Sequence, residues 1–140
     1  MKRLLLDLNV LLDVVLERPQ APVAARLFAA LENGRGEGFV PAHGVTTLFY
    51  VVARAQGRAC AAQAIDGLLR TFTIAPLDQN VLRRAVALDW PDFEDAVCAA
   101  SAEAGQCDAI VTRDAHGFAG SPTQAIDPAT ALVWLGGPQA

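Results

Sequence analysis

Leu4-Leu5-Leu6-Asp7 and Ala109-Ile110-Val111-Thr112-Arg113-Asp114 decide how this chain is read. Each is a short apolar run that stops at a carboxylate. Runs of this kind, without alternating polar residues, suit strands of a parallel sheet buried on both faces. Open α/β sheets bind their ligands at the carboxyl ends of such strands. Asp7 and Asp114 are therefore candidate functional residues, and Asp108, before the second run, falls at the opposite sheet edge as a solvated loop residue.

Working outward, strands and helices alternate along the whole chain. Residues 3–7 read as the first strand and Asn9 to Leu16 as a helix ending at Arg18-Pro19. Pro22 opens a second helix, with Val23, Leu27, Phe28 and Leu31 on one stripe and Asn33-Gly34 as its stop. Gly38 to Val40 is a strand, 44–55 and 59–70 are helices, and Phe72 to Ala75 is a strand stopped by Pro76. Asp78 caps a helix to Leu88, and Asp92 opens another that stops at Gly105. After the strand at Ala109 to Thr112 come a weak strand at Gln124 to Ile126 and a last helix from Pro128 to Leu135. This alternation predicts a three-layer α/β/α sandwich with a mainly parallel central sheet, formed by one domain over residues 1–140.

Composition narrows the function. At 140 residues and 53% hydrophobic, the chain can bury a real core. No apolar stretch approaches the roughly 20 residues of a membrane helix. Met1-Lys2-Arg3 before Leu4 to Leu6 is too short for a signal peptide, which points to a cytoplasmic protein. Cys60, Cys98 and Cys107 are odd in number and lack metal-type spacing, so they are expected as buried or partly buried thiols in a reducing compartment. The net charge of −4 and pI of about 5.0 argue against holding nucleic acid by bulk electrostatics. A bound cation could still supply positive charge locally. Lys2 is the only lysine, which excludes the phosphate-binding lysine of P-loop enzymes.

Two further acids stand out. In Trp90-Pro91-Asp92-Phe93-Glu94-Asp95, Asp92 and Asp95 lie three apart at a helix start and share a face. One reading is a helix cap, with Asp92 as N-cap and Asp95 three residues on. One cap needs one acid, however, and three acids in four residues repel each other. Asp7, Asp92, Asp95 and Asp114 together form a carboxylate set without a basic partner, which suits a divalent cation and a metal-dependent enzyme acting on phosphate esters. Asp95 is the better of the close pair, because Ala96, Val97, Ala99 and Ala100 place an apolar stripe behind it. Asp13 is expected to be solvated or helix-pairing, and His43 and His116 to lie at the surface or be hydrogen-bonded, with His116 near enough to Asp114 to touch a substrate.

These residues add up to a resemblance. Leu5-Leu6-Asp7-Leu8-Asn9-Val10-Leu11-Leu12-Asp13 is similar to the opening strand and first acid of PIN domains, the fold of VapC-like toxin ribonucleases. Asp95-Ala96-Val97-Cys98-Ala99-Ala100 resembles the helix with that family's third acid, and Ile110-Val111-Thr112-Arg113-Asp114 followed by Phe118 resembles the strand with its fourth. The three segments are in the family's order and span nearly the whole chain. One position departs. Thr47, in Pro41-Ala42-His43-Gly44-Val45-Thr46-Thr47-Leu48-Phe49-Tyr50, aligns with the glutamate the family usually carries. A PIN-like subgroup shares this threonine and a Pro-Asp-Phe-Glu-Asp segment, and Asp92 is placed to restore the lost charge.

The resemblance implies a metal-dependent endoribonuclease for single-stranded RNA, the toxin of a toxin–antitoxin pair. Asp7, Asp95 and Asp114, with Asp92, would hold Mg²⁺ or Mn²⁺; Asn9, Thr47 and Thr112 would position carboxylates or waters, and Arg113 would contact a substrate phosphate. It also implies a small antitoxin partner and a homodimer, with the helices at 23–31 and 44–53 serving either as a groove for an antitoxin helix or as core. The uncharged Thr47 leaves a second reading, a PIN-like module that binds RNA or protein without cleaving. Phosphoacceptor receiver domains and haloacid-dehalogenase phosphatases also place acids at strand ends, but both need a lysine that Lys2 cannot supply.

Overall fold

The three leucines of the first run alternate between two cores. Leu4 and Leu6 pack into one apolar cluster and Leu5 into another, and all three are fully buried. That is the two-residue period of a strand with both faces covered. The structure, a computed structural model, describes residues 1–136; the last four positions of the expected domain lie outside the described residues.

Among the described residues five strands form one sheet: β1 (Arg3–Leu6), β2 (Glu37–Val40), β3 (Phe72–Ile74), β4 (Ala109–Val111) and β5 (Ala125–Ile126). Their order is β3-β2-β1-β4-β5, and every pairing is parallel. Among the described residues seven α-helices connect or cover them: α1 (Leu8–Val15), α2 (Ala21–Glu32), α3 (Ala42–Gln56), α4 (Arg58–Thr71), α5 (Gln79–Leu88), α6 (Phe93–Ala104) and α7 (Pro128–Trp134), with a 3₁₀ turn at Ala115–Phe118. Helices α1 to α4 and α7 bury their apolar residues against the Leu4 and Leu6 side. On the other side α6 packs Cys98, Ala99 and Ala102 against Leu5 and Ile110, and α5 packs on α6 through Val81 and Ala85. The three-layer α/β/α expectation is met. The two stripes expected as either groove or core face inward: Leu27, Leu31, Leu48 and Val52 are buried in the first cluster.

Local rules explain the element ends. Asp78 Oδ1 accepts the Val81 amide at 2.9 Å and Asp127 Oδ1 the Thr130 amide at 2.7 Å, so both aspartates are N-caps. Asp89, at φ 56°, ends α5 in the left-handed conformation that Asp tolerates better than most residues. Gly38 is needed by the sheet itself: a Cβ there would lie 2.5 Å from the Phe72 ring of the neighbouring strand.

Strand order positions the site. The chain builds β1, β2 and β3 in one direction, then returns to place β4 on the free side of β1. The point where the order reverses lies between β1 and β4, and a crevice opens at their carboxyl ends. Leu6 pairs with Val111, so the residues that follow, Asp7 and Thr112, meet at that crevice.

Candidate active site

Asp7 leaves β1 as the cap of α1. Its amide donates to Val111 O at 2.9 Å, and its Oδ1 accepts the Leu8 amide at 2.8 Å. Its Oδ2 accepts the Thr112 hydroxyl at 3.1 Å. Thr112 Oγ1 in turn accepts the Asp114 amide at 3.1 Å. One buried threonine thus ties the first acid to the backbone of the last. Burial raises the Asp7 carboxyl above its ordinary value, while the Thr112 hydroxyl, the Leu8 amide and the charge of His43 pull it back.

Asp92 and Asp95 enter from the start of α6. Asp92 Oδ1 accepts the Asp95 amide at 3.2 Å, so the capping reading holds. Asp92 also lines the acidic cleft, as do Asp7, Asn9, His43, Glu94 and Asp95, with Cys98 on its wall. The cleft encloses about 170 Å³. Asp95 carries the clearest electrostatic signature. Partial burial pushes its carboxyl up to about 6, and the charges of Asp92, Asp7, Asp114 and Glu94 add to the effect. Asp114 reaches the same acid from the other side. A Cβ on Gly117 would lie 2.9 Å from Asp95 Oδ2 and 3.5 Å from Asp114 Oδ2, so both carboxylates flank that glycine.

Of the four predicted acids, Asp7, Asp92 and Asp95 line the cleft, and Asp114 stands at its edge beside Gly117 and Asp95. They do not form a finished ligand cage: among the described residues no three His, Cys, Asp or Glu groups are gathered closely enough to hold a metal ion. The chemistry of the set still fits a hard divalent cation. Partial burial and, after it, the charges of four other carboxylates raise the proton affinity of Asp95, and a bound cation would offset that repulsion.

The supporting residues divide. Thr112 holds two of the acids, as described. Asn9 is exposed on the cleft wall. Thr47 is half-buried on α3, one turn beyond His43, and does not line the cleft. Arg113, expected to contact a phosphate, places its Nε 2.7 Å from Asp13 Oδ2. Asp13 is a correction: it is 1% exposed, not solvated. It lies on the inner side of α1 with Val10, Leu11 and Leu12, and two arginines, Arg113 and Arg18, offset its charge. Cys60 also departs from expectation. It is exposed on α4, because the neighbouring Ala61 takes the inward position. Cys98 is buried and Cys107 partly so, as expected, and burial pushes the Cys107 thiol up to about 11. His116 is exposed on the 3₁₀ turn.

Four residues carry no site role in the expectations above, His43 having been expected at the surface or hydrogen-bonded. Glu94 and Cys98 line the cleft beside Asp95, and Gly117 makes room for two carboxylates. His43 faces Asp7 across the cleft, with its Nδ1 buried and without a hydrogen-bond partner. A signal for His43 exists: it lies four residues before Thr47, so the two share a helix face.

The sequence matches a family model described as PIN domain over residues 3–116. A comparison with curated proteins finds no match. Among solved structures the fold is similar to that of a chain in VapBC2 from Rickettsia felis bound to a DNA fragment from its promoter, at TM-score 0.71 and 14% identity over 89% of this chain and 98% of that one. VapBC-1 from nontypeable Haemophilus influenzae gives 0.70 and 16%, over 90% and 98%. A toxin–antitoxin complex from Klebsiella pneumoniae gives 0.67 and 24%, over 89% and 96%. At these identities the likeness is one of fold.

Proposed function

Because the chain belongs to the PIN domain family, we propose that it is a metal-dependent endoribonuclease that hydrolyses phosphodiester bonds of single-stranded RNA and acts as the toxin of a toxin–antitoxin pair. The observation that carries this reading is geometric: Asp7, Asp92, Glu94 and Asp95 line one cleft and Asp114 flanks Asp95 beside Gly117, at the crevice between β1 and β4. Acids packed so closely repel each other, and a site that binds a cation has a use for that repulsion.

Asp7, Asp95 and Asp114, with Asp92, would hold Mg²⁺ or Mn²⁺. When bound, the cation supplies positive charge that acidifies an attacking water and stabilises charge on the phosphate. The chain's own residues do the rest. Thr112 fixes the orientation of Asp7 and the approach of Asp114. The Asp92 cap sets where Asp95 stands at the first turn of α6. Asn9 and His43, on the cleft walls, would hold a phosphate oxygen or a water. Asp7→Asn keeps the shape and removes the charge, so it abolishes cleavage if the reading is right. The test is cleavage of single-stranded RNA with Mg²⁺, with Mn²⁺ and with chelator, wild type beside Asp7→Asn; undiminished cleavage by the variant sinks the proposal.

Solved relatives in fold include a toxin–antitoxin complex, which supports a small antitoxin partner here; a homodimer and a cytoplasmic setting are part of the same proposal and rest on the family resemblance alone. Among the described residues no helix is long and apolar enough to cross a membrane. One observation favours a second reading. Thr47 is uncharged, and the carboxylates do not yet converge. A module that binds RNA or protein without cleaving fits both facts. Binding without cleavage under every divalent cation tried would select it.

A further inference from the structure

We propose, resting on the metal-site reading above, that Asp13 is a positioning residue that locks the tip of β4 by holding Arg113. Asp7 and Asp13 bracket α1, one as its cap and the other in its last turn. Both reach across to consecutive residues of the same tip. Asp7 Oδ2 accepts the Thr112 hydroxyl at 3.1 Å, and Asp13 Oδ2 meets Arg113 Nε at 2.7 Å. The next residue, Asp114, is the acid that flanks Asp95 across Gly117.

A carboxylate that is 1% exposed on an apolar helix face calls for an explanation. Stability alone is a weak one, since the Arg113 side chain keeps 36% of its surface exposed and an ion pair open to water on one side contributes little. The position of Arg113 offers another. Its side chain borders a hollow with Gln20, Val23 and Pro128, residues that do not line the acidic cleft. Arg113 therefore acts on the site through its backbone neighbours. With Thr112 alone held, the chain beyond it could swing about that single anchor. With Arg113 also pinned from α1, the Asp114 amide stays on Thr112 Oγ1 and its carboxylate stays turned toward Asp95. Arg18, 3.5 Å from the other Asp13 oxygen, offsets the remaining charge without a hydrogen bond to it, so the fixed contact is the one to Arg113.

The test uses the full chain with Asp13→Asn, which keeps volume and removes charge. Two quantities are read: Mn²⁺ binding, followed by loss of the free-ion electron paramagnetic resonance signal, and hydrogen–deuterium exchange of the 112–118 segment. We expect Mn²⁺ binding weakened about tenfold, as for other residues that orient ligands, and exchange faster in that segment while β1 and β2 stay protected. Arg113→Lys, which keeps charge but loses the Nε contact, gives the same pattern and serves if Asp13→Asn does not fold. Asp66→Asn, on the outer face of α4, leaves both quantities at wild type. Wild-type exchange at 112–118 in a folded variant overturns the proposal, as does faster exchange spread evenly over the sheet. If wild type itself binds no Mn²⁺, the metal reading fails, and the exchange result still decides the role of Asp13.

Discussion

Thr112 and Asp7, 105 residues apart in the chain, meet at 3.1 Å through the threonine hydroxyl, and the same oxygen receives the Asp114 amide. The side chain is 2% exposed. A buried hydroxyl used on both sides is a joint between two acids. Thr112→Val keeps the shape and removes the joint. Lost hydrogen bonds of this kind cost about 1 kcal/mol each, so the variant should fold. Cleavage should drop about 10- to 100-fold. Thermal unfolding beside RNA cleavage rates checks both parts, and wild-type activity would contradict the role assigned to Thr112.

Asp92 has two jobs that substitution can separate. Asparagine caps a helix as well as aspartate does, and alanine costs about 1 kcal/mol. Asp92→Asn should therefore keep stability and lose cation affinity, whereas Asp92→Ala should lose both. Calorimetric Mn²⁺ titration and denaturant unfolding of the two variants test this. Unchanged Mn²⁺ affinity in Asp92→Asn would reduce Asp92 to a cap.

A side chain at Gly117 should disturb the site rather than the fold. The Cβ of Gly117→Ala would lie 2.9 Å from Asp95 Oδ2, closer than real contacts allow, and 3.5 Å from Asp114 Oδ2. Asp95 has to turn away, so the expected result is a folded protein with RNA cleavage reduced at least about tenfold. Ala119, exposed two residues on, is the control: Ala119→Ser should be silent.

Without divalent cation, the protein should become more stable as pH falls toward 4. The folded Asp95 carboxyl is raised to about 6 from 3.8, so between those values the folded chain holds a proton the unfolded chain has released. Stability from this group then falls as pH rises from 3.8 to about 6 and is flat above. Asp7 is raised as well and acts in the same direction. Asp127, lowered by the Thr130 amide, acts oppositely, and its contribution is lost only as pH falls below 3.8. Thermal unfolding in chelator from pH 4.5 to 7.5 should show the midpoint falling, with a shallower fall in Asp95→Asn. A midpoint that rises across this window would contradict the raised carboxyl.

Much of the fold is legible in the chain because its signals are local. Leu4 to Leu6 and Ala109 to Val111 are apolar without a break, as strands covered on both faces must be. The aspartates at 78, 92 and 127 sit one residue before their helices and make the cap bonds their side chains permit. The candidate acids are legible for the same reason, since a strand end and a helix start are both marked by nearby residues. Asp13 misleads because its helix stripe says only that it faces inward, and a buried acid without a visible partner is an unfavourable guess. The nearer of its two arginine partners, Arg113, is 100 positions away.

The amino-acid sequence by itself determines the alternation of strands and helices, the caps that bound them, and the acids at their ends, because periodicity and capping act within a few residues. Only the tertiary structure decides that β4 returns to the free side of β1, that Leu6 pairs with Val111, and that Asp7 therefore meets Thr112. Strand order and register arise from packing two helix layers onto one sheet, a property of the whole chain. The same packing brings His43 to Asp7, seats two carboxylates around Gly117 and buries Asp13 against Arg113.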